Sequence, residues 1–169
     1  MSRGTVSASI PALTRADAWL LAALTEGSSP GRPVRLRDLV HDADWLNRAI
    51  PTFDEMSFGL RRLVAAGFLV IQTDRKGGLR FEATPTATSL RRSLRPNRLG
   101  VIEAMGEAVG ATPYPSPEPA EDRSLGPLAG LDAASLEKAI RQHGEWVERW
   151  SKPFMVAARA LVWWQNRKR

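Results

Sequence analysis

The stretch from Thr52 to Pro85, TFDEMSFGLRRLVAAGFLVIQTDRKGGLRFEATP, leaves few folds open, because it joins a capped amphipathic helix to a strand pair and the strand pair to another capped helix. Phe53, Met56, Leu60, Leu63, Val64 and Gly67 fall on one side of a helical wheel, the apolar stripe of a helix packed on a core. Thr52 with Glu55 three residues later forms a capping box, and Gly67 suits a C-terminal cap. Phe68 to Thr73 and Leu79 to Thr84 then flank Asp74-Arg75-Lys76-Gly77-Gly78, and alternation places Leu79, Phe81 and Ala83 on one face. This predicts a β-hairpin with a basic, glycine-containing tip.

Upstream, Thr14 caps a helix through Ala16, Trp19, Leu20, Ala23 and Leu24 that stops at Gly27. Ser28 to Pro33 is rich in turn residues, and Val34-Arg35-Leu36 is long enough for a third short strand. Leu39, Val40, Ala43 and Leu46 predict a second helix from Arg37 to about Arg48, ending before Ile50-Pro51 because a residue preceding proline is biased away from helix. Downstream, Thr84 as cap and Pro85 at the first helical position start a fourth helix through Leu90 and Leu94, with Arg91, Arg92 and Arg95 outside and Pro96 as its stop. Asn97 is placed to cap a fifth, carrying Leu99, Ile102, Met105 and Val109 and closed by Gly110.

This order of helices, small sheet and basic hairpin resembles the winged helix-turn-helix superfamily, as seen in bacterial regulators of the MarR and PadR kind, over residues 14 to 94. The resemblance implies a mainly α fold with a small antiparallel β wing, the helix from Phe53 to Ala66 being the recognition helix and Asp74 to Gly78 the wing. It further implies double-stranded DNA as partner and transcriptional control as activity.

Charge placement agrees with that expectation. Of the net +6, residues 56 to 98 hold nine Arg/Lys against two Asp/Glu, whereas residues 1 to 55 hold six against seven and residues 99 to 169 nine against nine. A one-sign block on one module is the usual footprint of a nucleic-acid surface, although a solvated arginine-rich face gives the same count. The absence of cysteine excludes disulfides and thiolate metal sites and favours an intracellular, cytoplasmic setting. The first 13 residues lack a continuous apolar run and read as a flexible arm ahead of a domain at 14–110.

Residues 111 to 130, ATPYPSPEPAEDRSLGPLAG, read as a proline-rich, poorly ordered linker to a C-terminal helical segment at 131–169. There Asp132 caps a helix bearing Leu136, Ile140, His143, Val147 and Trp150, which Pro153 interrupts or kinks. Phe154 to Trp164 is apolar nearly all round, but eleven residues cover only about half of a ~30 Å hydrocarbon core, and Arg159 lies in their middle. The segment is therefore expected to pack on the first domain, on a second copy as a homodimer, or on a partner, with a membrane surface disfavoured. Trp146, Trp150, Phe154, Trp163 and Trp164 are its candidate contact residues.

For DNA, the candidates are Phe58 and Arg61 on the helix side opposite the apolar stripe with Arg62 on the shoulder, Arg75, Lys76 and Arg80 on the wing, and Arg91 and Arg92 on the next helix. Asp54 and Glu55 in the first turn oppose phosphate contact, yet they complement the helix dipole and the cap. The rival reading is an interaction module without DNA binding, facing a protein through Phe58 and the acidic turn. No catalytic or metal site is expected, and no cofactor. His41-Asp42-Ala43-Asp44 reads as helix surface, His143 as a packed or interface histidine, and Glu103 and Glu107 as solvated carboxylates.

Overall fold

The computed structural model describes residues 12–94, 100–112 and 128–166, the last of these by side chain only as far as Arg149. The elements are α1 (Arg15–Gly27), β1 (Val34–Arg35), α2 (Leu36–Asn47), α3 (Phe53–Ala65), β2 (Leu69–Thr73), β3 (Leu79–Ala83), α4 (Pro85–Ser93), α5 (Val101–Val109) and α6 (Ala133–Asn166). The sheet is antiparallel in the order β1-β3-β2, so Phe81 lies between Val34 and Ile71, and Arg35 lies beside Arg80. The described chain is thus mainly helical with one small three-stranded antiparallel sheet.

Everything is built around α1. Eight consecutive residues, Asp17 to Leu24, are buried, so this helix is covered on all sides rather than along the single stripe its spacing suggests. The other elements packed on it include α2, α3, α4, α5 and β3. Thr14 caps it, accepting from the Asp17 N–H, while the Asp17 carboxylate accepts from the Thr14 N–H at 2.8 Å. At its far end the buried Ser28 hydroxyl accepts from the Ala83 N–H at 2.9 Å and fastens the helix to β3. Trp19 Nε1 donates to the Ala43 carbonyl at 3.0 Å and fixes α1 against α2.

The expected ends of α3 are present. The Thr52 N–H donates to Glu55 Oε2 at 2.8 Å and the Glu55 N–H to Thr52 Oγ1 at 3.2 Å, while Gly67 takes φ of 75° after the helix so that the Phe68 N–H can reach the Leu63 carbonyl at 2.9 Å. Its inward face differs from the apolar stripe. Val64 is 38% exposed, and the buried set is Met56, Ser57, Gly59, Leu60, Arg62 and Leu63. The stripe rotates toward Gly59 because a residue without a side chain lets α1 come close.

Pro153 does not interrupt α6, since a helix of 34 residues absorbs the loss of one backbone bond. The first part of α6 packs along α2, with Leu136, Ala139 and His143 buried. Asn97 and most of the proline-rich segment lie outside the described residues. At the ends of that segment the Thr112 N–H donates to the Leu13 carbonyl at 3.0 Å, and Leu128 is buried. Glu103 is not a lone solvated carboxylate, because Arg15 from α1 meets it at 2.7 Å.

One half-buried acid is out of balance. Asp42 on α2 lies against Gly27, and burial, followed by the charges of Asp38 and Glu26, pushes its carboxyl up to about 6. A raised folded value means that the protonated form stabilises the fold below about pH 4, and that this contribution is lost as pH rises through about 6. Asp42→Asn is therefore expected to add roughly 1–2 kcal/mol at pH 7, after allowance for solvent screening, and nothing at pH 4. Urea unfolding at the two pH values checks this.

Candidate nucleic-acid interface

The hairpin tip is folded before any ligand arrives. Asp74 Oδ1 accepts from the Lys76 and Gly78 N–H groups, both at 2.9 Å, and Gly77 supplies the turn's positive φ of 79°. Oδ2 accepts from Arg80 at 2.7 and 3.1 Å. The Gly78 and Lys76 amides, with Arg80, hold the Asp74 carboxyl below the usual carboxylate range, so it stays ionised. Arg80 is thus a brace of the hairpin, while Arg75 and Lys76 project into solvent and form no ion pair among the described residues.

The other expected contacts divide sharply. Arg62 is not on the outer face of α3. It is 5% exposed and clamps the fully buried Asp17 through Nε at 2.6 Å and Nη2 at 2.8 Å. It lies on the shoulder of the wheel, and the approach of α1 at Gly59 draws it inward, where a carboxylate waits. Arg91 is held by Glu26, and Arg92 is exposed. Arg61 and Phe58 are half-buried on the outer side of α3, with Asp54 and Ala65 exposed beside them. On its flank, Ser57 Oγ accepts from the Leu128 N–H at 2.9 Å, so the chain entering α6 covers that edge of the helix.

Residues not singled out from the sequence complete the cationic surface. Arg35 stands next to Arg80 across the β1–β3 pair, and Arg37 in the first turn of α2 pairs with Asp38 at 3.0 Å. Together with Lys76, Arg80 and Lys138 of α6 they border a groove between the hairpin, the β1–α2 corner and the start of α6. The strand register was the available signal, since a third strand at Val34 must lay Arg35 beside the hairpin.

The chain's two histidines meet where α6 crosses α2. His143 Nε2 lies 3.0 Å from Asp44 Oδ2, the His41 ring is 5.2 Å from the His143 ring, and Trp146 packs edge-on against His41 at 4.5 Å. His41 is therefore a packing residue, not a helix-surface one. Burial, then the facing His143, lowers its pKa below the ordinary value, outweighing the nearby acids Asp44 and Asp38. Trp146 is the one candidate tail contact whose side chain is described, and it is 44% exposed. Trp150, Phe154, Trp163 and Trp164 lie outside the described side chains.

No family model, curated protein or solved structure matches the chain. Among the described residues no helix is long and apolar enough to cross a membrane.

Proposed function

We propose that residues 14–94 form a winged helix-turn-helix domain that binds duplex DNA and acts by binding, without catalysis, in transcriptional control. The observation that carries this reading is the hairpin tip, where Arg75 and Lys76 stand exposed on a turn already fixed by Asp74. Such a basic loop loses little conformational entropy when it meets a phosphate backbone or a minor groove. The succession α1-β1-α2-α3-β2-β3 with sheet order β1-β3-β2 supports the domain assignment. Arg35 joins the phosphate-facing set, and Arg61 with Phe58 occupies the base-facing side of α3. Arg62, Arg80 and Arg91, each holding an internal carboxylate, leave it.

The test is fluorescence anisotropy of a labelled random duplex. The Arg61→Ala, Arg75→Ala, Lys76→Ala triple variant is expected to bind at least about tenfold more weakly, since each charge-assisted phosphate contact contributes on the order of 1 kcal/mol. Arg91→Ala, at a residue already held by Glu26, is expected to change affinity only slightly. If duplex binding is absent or unaffected by the triple variant, the reading fails. Capture of a protein partner lost in Phe58→Ala would then identify the domain as an interaction module.

A further inference from the structure

The groove between the hairpin and α6 adds Lys138 and an apolar wall to two cations, Arg35 and Lys76, that the duplex reading also uses. It is an open groove of about 440 Å³, a volume within the range of small-molecule sites. Two of its cations are already held, Arg37 by Asp38 and Arg80 by Asp74. Three are not: Arg35, Lys76 and Lys138 come from β1, the hairpin tip and α6, and form no ion pair among the described residues. Among the described residues Asp74 is the single carboxylate on the wall, and both its oxygens are occupied by the turn amides and by Arg80. Three like charges bordering one groove repel each other, and an anion placed between them removes that cost.

Much of the remaining wall is apolar or backbone. Leu36 and Leu79, both half-buried, give it a hydrocarbon surface, and at Gly77, where nothing stands within 4 Å of an added Cβ, the main chain is open to close approach. On α6, Ser135, Lys138, Ala139 and Gln142 follow the spacing of one helix face, so an ammonium and an amide are presented together, while the Ser135 hydroxyl bonds the Asp132 carboxylate. We propose that this groove binds a small organic anion, a phosphate monoester carrying an apolar ring, with Arg35, Lys76 and Lys138 around the phosphate and the leucines against the ring. Occupied in this way, it ties the hairpin to α6.

Isothermal titration of the full chain with 1-naphthyl phosphate and with inorganic phosphate tests this in the absence of DNA, so its failure leaves the duplex reading standing. Naphthyl phosphate is expected to bind at least about tenfold more tightly than inorganic phosphate, because the ring buries apolar surface. Lys138→Glu, an exposed position whose substitution does not threaten the core, is expected to weaken naphthyl phosphate by about tenfold or more. Arg141→Glu, on the same helix but off the groove, is expected to leave it within about twofold. Equal affinity for the two phosphates overturns the apolar subsite, equal loss in the two α6 variants overturns the groove as the site, and no binding overturns both.

Discussion

Arg62→Ala is expected to lower the unfolding free energy by about 3–5 kcal/mol, enough to leave a domain of ordinary stability close to unfolded at room temperature. Asp17 is fully buried, and Arg62 itself is 5% exposed. The carboxylate accepts two guanidinium bonds and the Thr14 N–H, so removing the arginine strands a charge in the interior and loosens the cap of the central helix. Arg62→Lys keeps the charge but loses the planar fork, so it should lie between the alanine variant and the parent. Arg62→Met combined with Asp17→Leu, which removes both charges, should recover much of the loss. A double-mutant cycle followed by urea unfolding measures this directly. A cost below about 1 kcal/mol for the alanine variant would mean that the pair is open to water.

Gly59→Ala should also destabilise, by about 1–3 kcal/mol, although the same change on an exposed helix face gains about 1 kcal/mol in helix propensity. An added Cβ would stand 2.6 Å from Leu20 Cδ1 and 2.8 Å from Asp17 Oδ1. Neither neighbour can yield cheaply. Leu20 is fully buried in α1, and Asp17 is fixed by Arg62. The methyl must therefore separate α1 from α3, and Gly59→Val should cost more again. Thermal unfolding of the two variants checks the order, and a stabilised Gly59→Ala would show that the helices do not approach as described.

The local chemistry of the sequence was read correctly where it was self-contained. The caps at Thr14, Thr52 and Thr84 and the glycines at 67 and 77 all act within a few residues, so the starts of α1, α3 and α4, the hairpin and its turn were legible, whereas α5 starts after Gly100 and not at the expected Asn97 cap. Arg62 was misplaced because its partner lies 45 positions away and amphipathic patterns cannot see a charge that is paired inside. The same long range hid the Arg35–Arg80 neighbourhood, the Arg15–Glu103 pair and the meeting of His41 with His143. Pro153 misled in the opposite sense, since a local helix breaker was outweighed by the length of helix around it. The exposed cations of the tip were legible, and which of the remaining arginines are free to meet a ligand was not.

The claim that the tip of the hairpin is a phosphate-binding surface is tested most directly by the salt dependence of duplex affinity. Log affinity against log salt should fall steeply for the full chain, and the slope should become shallower by about two in Arg75→Ala/Lys76→Ala, roughly one for each phosphate contact removed. Arg62→Lys, if it folds, should keep the parent slope. An unchanged slope in the double variant, or no duplex binding at low salt, would contradict the account.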